Sequence, residues 1–256
     1  MILAVDVGNT NIVLGVIHEG HILRTARIRT EDNATEAEYA IKISEILYYM
    51  KCRPEELEGS IMASVVPPVT ASIAAALETL IGRKCLIVGP GMKTGLNVRI
   101  DDPGTLGADL LVGGVAALAY YKAPAIIIDM GTATTIVAVD EKKAFRGGAI
   151  LPGVKLSFTA LAAGTSLLPD IYIARPDRCI GTNTVDCMRS GAVLGTASMI
   201  DGMVERMEEE LGTPCTLIAT GGLAASIVPC CRHTIIVDED LLLRGLWILY
   251  QKNLLR

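Results

Sequence analysis

The run Ile126–Val139, IIIDMGTATTIVAV, decides how the chain folds. Three β-branched isoleucines set up a buried strand that ends on Asp129. Gly131 then permits a sharp turn whose main-chain amides can approach a large anion, and Thr132, Thr134 and Thr135 add hydroxyl donors before a second apolar run begins. An Asp-x-Gly between two strands is also what an ordinary hairpin contains. The opening stretch ILAVDVGNTNIVLGVI repeats the pattern: a strand through Val5 to Asp6, then Val7, Gly8 and a polar turn at Asn9, Thr10 and Asn11, then a strand from Ile12 and Val13. Two acidic hairpins of one design point to a shared ligand rather than to two unrelated turns.

The 256 residues, 51% of them hydrophobic, can bury one large core or two smaller ones, and the repeat favours two. With 28 acidic against 23 basic residues the formal charge is -5, which does not favour nucleic acid or an anionic membrane surface as partner. An anionic ligand must therefore be met by local dipoles. The seven cysteines include the adjacent pair Cys230 and Cys231 but no CxxC, and the three histidines have no zinc-site spacing, a usage that suits reduced cytoplasmic thiols. Asp6 interrupts the first apolar run, and Leu110–Tyr121 is shorter than the roughly 20 residues a membrane span needs, so neither a signal peptide nor an anchor is expected.

In order, Ile2–Val7, Ile12–His18 and Ile22–Arg29 read as an antiparallel meander. Thr35 and Glu38 form a capping-box pattern ahead of a helix reaching about Lys51. Ile61–Val66 reads as a strand, Pro67 and Pro68 start a helix that runs to Ile81, and Cys85–Val88 reads as a further strand. A Gly- and Pro-rich loop from Gly89 marks a boundary, with halves at 1–104 and 105–256. The second half opens with a helix over Thr105–Tyr121 that carries Asp109 and a small-residue face, then repeats the meander at Ile126–Asp129, Thr135–Val139 and Ala144–Ile150. Asp109 on this evidence is either a partner of the helix dipole or a chemical group. An apolar helix after Pro152 suits a subunit interface or its own core. Thr182, Asn183 and Thr184 sit where a helix that reaches about Leu211 must be capped. Thr216–Thr220 reads as a strand ending in Gly221 and Gly222, Ile235–Val237 is another, and a helix over Leu241–Leu254 carries the single Trp247 as a core or interface residue.

Two acidic hairpins and a late strand ending in Thr-Gly-Gly make a coherent ATP site: turn amides for phosphates, Asp6 and Asp129 for cations, and the Gly221–Gly222 turn leaving space for adenine and ribose. The arrangement resembles the actin, heat-shock chaperone and sugar-kinase superfamily, and over essentially the full length the sequence is similar to type III pantothenate kinases. The resemblance implies an α/β fold of duplicated ribonuclease H-like halves, each a mixed sheet flanked by helices. DVGNTN at Asp6–Asn11 resembles the family's leading phosphate motif, extending through Val7, Ile12 and Val13. DMGTATT resembles the second, with Asp129 as monovalent-cation ligand and Thr132 at ATP. Gly107, Ala108 and Asp109 match the substrate motif in which the acid accepts a proton. GTNT carries the substrate-contacting threonine to Thr184, and TGG matches the adenosine side. The implied reaction is ATP-dependent phosphorylation of pantothenate, the first committed step toward coenzyme A, with Mg2+ and K+ or NH4+ as cofactors and a homodimer as the assembly.

Two positions depart from the family pattern. Leu110 stands where the family usually has Arg, and Ile100, in VRIDDP, where it usually has Tyr. Both belong by resemblance to the acceptor pocket, and Arg99 is one residue from a place where it compensates. The phosphate motifs do not name the alcohol, so a kinase of another small alcohol fits them too, as does a non-catalytic accessory homologue.

Overall fold

The computed structural model describes residues 1–254. In chain order the elements are β1 (Ile2–Val7), β2 (Asn11–His18), β3 (His21–Arg29), α1 (Glu36–Tyr49), β4 (Ser60–Ser64), α2 (Pro67–Ile81), β5 (Leu86–Ile87), β6 (Asn97–Val98), α3 (Ala108–Tyr120), β7 (Ala125–Met130), β8 (Ala133–Val139), β9 (Ala144–Pro152), α4 (Val154–Ala163), α5 (Thr184–Ser190), α6 (Thr196–Leu211), β10 (Thr216–Thr220), α7 (Ala224–Ile227), β11 (Ile236–Val237) and α8 (Leu241–Leu254). They fall into two compact units. The first comprises Met1–Leu96, Asp102–Ala119 and the chain from Asp240 onward; the second comprises Asn97–Asp101 and Tyr120–Glu239. A single cut after residue 104, the boundary expected above, does not describe this division: α3 and α8 fold with the first sheet although they lie beyond the cut.

The first unit holds a five-stranded sheet in the order β3-β2-β1-β4-β5. β1 is antiparallel to β2 and parallel to β4, and β2 is antiparallel to β3. Period-2 alternation sends Leu3, Val5 and Val7 to one face, where they pack with Ile12, Leu14 and Met62 against Tyr39, Ile43 and Leu47 of α1 and Val69, Ile73 and Leu77 of α2. The capping box forms as expected, with Glu38 Oε2 accepting from the Thr35 N–H at 2.7 Å. Pro67 and Pro68 open α2, and Gly82, at φ 71°, closes it. On the opposite face α8 approaches the sheet where side chains are missing: a Cβ on Gly15 would meet Leu243, and one on Gly59 would meet Tyr250 Oη. Gly245 in turn lies against the Val112 carbonyl of α3, the close helix contact that the small-residue face of α3 permits. Trp247 stacks over Gly20 in this same layer.

The second unit repeats the design in the order β11-β10-β7-β8-β9, with β6 added beyond β9. Strand for strand, β7 takes the place of β1, β8 of β2, β9 of β3, β10 of β4 and β11 of β5. The burial patterns of β1 and β7 are identical, each with its acid as the one half-buried position. Ile126, Ile128 and Met130 pack on Ala197, Ile200 and Val204 of α6. The long helix expected to reach Leu211 is present but divided: α5 and α6 are joined by one π-helical turn, Gly191–Gly195. The helix expected from Thr105 begins at Ala108, because Asp102 caps a short 3-10 turn at Pro103–Thr105 instead.

Candidate active site

Each hairpin turn closes on its own glycine. The Gly8 N–H donates to the Asn11 carbonyl at 3.0 Å, and the Gly131 N–H donates to the Ala133 carbonyl at 3.0 Å. The second turn is therefore one residue shorter. These two amides are engaged inside the turns, which leaves the rest of the Asn9–Asn11 and Thr132 segments open to a ligand, with exposed tips at Asn9, Thr10 and Thr132. The side chains of Val7 and Ile12 lie in the core, so these two positions have only main chain to offer a nucleotide, whereas Val13 is half-buried.

Both turns are held from the third strand of their meander, a feature the sequence reading missed. Thr30, just after β3, donates its N–H to the Thr10 carbonyl at 3.0 Å and its Oγ1 to the Gly8 carbonyl at 2.6 Å. Gly153, just after β9, donates its N–H to the Thr132 carbonyl at 3.0 Å. A Cβ on Gly153 would stand 2.3 Å from that oxygen, so only glycine lets the main chains meet. Proper pairing of β3 and β9 is thus what shapes the two hairpin turns.

In the second unit the Asp129 carboxylate lies between two glycines. A Cβ on Gly221 would stand 2.5 Å from Asp129 Oδ1 and one on Gly131 would stand 3.7 Å from it. Gly221 adopts φ 91°, and Gly222 beside it is exposed. This brings together groups predicted from two motifs: Asp129 and the Gly131–Thr132 turn of DMGTATT, and the Gly221 turn of TGG. Among the described residues no group of three or more His, Cys, Asp or Glu side chains could hold a metal; a cation at Asp129 would draw on hydroxyl and main-chain oxygens of the two turns. The donor set suits a hard cation of low charge.

In the first unit Asp109 is the second residue of α3, and the Gly107 carbonyl accepts the Leu111 N–H at 3.1 Å to start the helix. The carboxylate folds back over Gly107, where a Cβ would be 2.6 Å from Oδ1, and accepts from the Leu110 N–H at 2.8 Å. Burial pushes its carboxyl above the usual range, opposed by the N–H groups of Leu110 and of Asp109 itself. Ala108 and Leu110 are half-buried beside it.

The remaining predicted positions are in the second unit. Thr184 is exposed as the first residue of α5, while capping falls to Asn183, whose side chain accepts from the Asp186 N–H at 3.0 Å. Ile100 lies over Gly147, because β6 pairs with the start of β9 and the Arg99 N–H donates to the Phe145 carbonyl at 2.9 Å. Within this unit that end of β9 pairs with Val139, the opposite end of β8 from Ala133 and the Thr132 turn. Arg99 is exposed there. A further group had no sequence signal: buried Asp201 on α6 accepts from the N–H groups of Arg232 and His233 and pairs with His233 Nδ1 at 2.9 Å. Burial raises this carboxyl, but those donors outweigh it and hold it below its ordinary range. It ties the segment between α7 and β11 to α6.

The family model of type III pantothenate kinases matches residues 2–206. A type III pantothenate kinase of Halalkalibacterium halodurans is 41% identical over 99% of this chain and 100% of its own length, and one of Exiguobacterium sibiricum is 44% identical over the same shares. The chain belongs to the type III pantothenate kinase family. Among solved structures, component A of the (R)-2-hydroxyglutaryl-CoA dehydratase of Acidaminococcus fermentans superposes with a TM-score of 0.58, covering 97% of this chain and 96% of that one at 14% identity. A likeness at that identity bears on fold alone, and the fold is the duplicated ribonuclease H-like α/β arrangement expected for a type III pantothenate kinase.

Proposed function

We propose that the protein transfers the γ-phosphoryl group of ATP to the primary hydroxyl of pantothenate, giving 4'-phosphopantothenate and ADP, the first step of coenzyme A biosynthesis. The observation that carries the chemistry is Asp109: a helix-start carboxylate whose burial raises its basicity, suited to accept the hydroxyl proton as the oxygen attacks phosphorus. The turns at Gly8–Asn11 and at Gly131–Thr132 are each assigned to phosphate oxygens, Asp6 and Asp129 to cations, and the Gly221–Gly222 turn to the adenosine side. Asp129 would hold the monovalent cation, which together with Mg2+ supplies positive charge against the triphosphate. Gly107, Ala108, Leu110, Ile100 and Thr184 are assigned to the acceptor. Leu110 brings hydrocarbon where an Arg would bring a charged donor, worth about 1.5–3 kcal/mol, so the acceptor affinity is expected to rest on other contacts.

The protein works in the cytoplasm as a homodimer in this reading, with no nucleic acid or membrane partner. Large apolar side chains clustered in one stretch support the dimer: Ile150, Leu156, Leu161, Leu167, Tyr172 and Ile180 are all exposed. No helix of the described residues is long and apolar enough to cross a membrane. Turnover of pantothenate measured beside other small alcohols, with ATP, magnesium and potassium present, tests the substrate. Efficient use of another alcohol with none of pantothenate would overturn it, and a concentration-independent monomer of full activity in light scattering would exclude the dimer.

A further inference from the structure

The two half-buried acids have different neighbours. In the first sheet Asp6 is in register with Val13 on β2 and Ala63 on β4. In the second, Asp129 is in register with Thr135 on β8 and Thr220 on β10. Residues in register on adjoining strands put their side chains on the same face, about 4.5–5.5 Å apart across an antiparallel pair. The first row is therefore hydrocarbon, acid, hydrocarbon; the second is hydroxyl, acid, hydroxyl. This face is the one opposite α6, since Ile128, Met130 and Ile136 take the α6 side.

Thr135 Oγ1 is moreover buried without a hydrogen-bond partner. Burying an unpaired hydroxyl carries a desolvation penalty, so an oxygen placed this way in a polar row is suited to meet a ligand. Its neighbour across the strands is a carboxylate, which when ionised only accepts. A cation against the carboxylate would also lie within reach of the Thr135 oxygen and meet its lone pairs. One carboxylate among neutral oxygens suits a hard cation of single charge rather than a divalent or thiophilic metal. We propose that Thr135 Oγ1 is a second protein ligand, beside Asp129, for the monovalent cation of the second hairpin; Val13 and Ala63, which flank Asp6, offer no such oxygen. The inference rests on the cation-holding role proposed for Asp129.

The test reads binding rather than turnover. Thermal unfolding with ATP and magnesium is followed while potassium chloride replaces tetramethylammonium chloride at constant ionic strength, and the half-saturating potassium concentration is taken from the midpoints. Removing the hydroxyl in Thr135→Val or Thr135→Ala, two changes that differ in packing, should raise that concentration about ten-fold or more, and Thr135→Ser should restore it. Ser60→Ala serves as the control: it removes a buried hydroxyl at the start of β4 in the other sheet, outside both hairpins, and should titrate as wild type. Loss of the response in Asp129→Asn together with wild-type titration in both Thr135 variants would overturn the role of Thr135 alone. A wild-type protein with no potassium response would overturn the cation role of Asp129 as well.

Discussion

Gly221→Ala should damage both stability and nucleotide use. At φ 91° any L side chain is strained, by about 1–2 kcal/mol. The new Cβ would also stand 2.5 Å from Asp129 Oδ1 and 2.7 Å from the Met130 N and C atoms. The carboxylate can swing away, but the Met130 main chain in mid-sheet cannot, and such overpacking adds about 1–3 kcal/mol. The sum, about 2–5 kcal/mol, corresponds to a fall in Tm of roughly 4–20 °C for a chain of this size. Gly212→Ala is the internal control: φ is 73°, and nothing lies within 4 Å of its added Cβ, so it carries the strain alone. Urea denaturation of both variants isolates the contact from the strain, and the ATP and potassium dependence of Gly221→Ala reports the displaced carboxylate. If Gly221→Ala were as stable as Gly212→Ala and kept wild-type ATP affinity, the placement of Gly221 against Asp129 would be refuted.

Two further outcomes follow from buried carboxyls. Because burial raises the folded pKa of Asp109, its contribution to stability is fully present below the unfolded value and is lost as pH rises through the folded one; Asp109→Asn should therefore be at least as stable as wild type at neutral pH in calorimetric melts, whereas a helix-dipole role would make it less stable. Asp201 has the opposite sign: its folded pKa is lowered, so its contribution is present above the unfolded value and fades as pH falls through the folded one, and Asp201→Ala, which leaves three donors unmet, should cost at least about 2 kcal/mol in urea melts at neutral pH and less in acid.

The strand-acid-turn-strand repeat was legible in the sequence because β-branched runs, an acid and a glycine leave local marks at Asp6–Gly8 and Asp129–Gly131. The capping box of Thr35 and Glu38 was legible for the same reason. Other features depend on partners distant in sequence. Thr30 and Gly153 brace the two hairpin turns only through the register of β3 and β9, and no local pattern announces that. β6 is two residues long and is a strand only because Phe145 and Ala144 pair with it. The π-helical turn at Gly191–Gly195 escapes a periodicity argument because one widened turn barely alters the buried face. Likewise, α3 and α8 belong to the first unit through glycines that admit Val112, Leu243 and Tyr250, contacts that sequence order does not reveal.

The chemistry proposed for this kinase turns on Asp109 taking the proton of a pantothenate hydroxyl. Its most direct test is the initial rate of 4'-phosphopantothenate formation, followed by mass spectrometry with ATP, magnesium and potassium, for wild type and for Asp109→Asn shown to be folded. Product in step with ADP is expected for wild type, and the proton-acceptor role of Asp109 predicts a rate lower by about 100- to 10,000-fold for the variant. Phosphopantothenate formed at an unchanged rate by Asp109→Asn, or not formed at all by the wild-type protein, would contradict it.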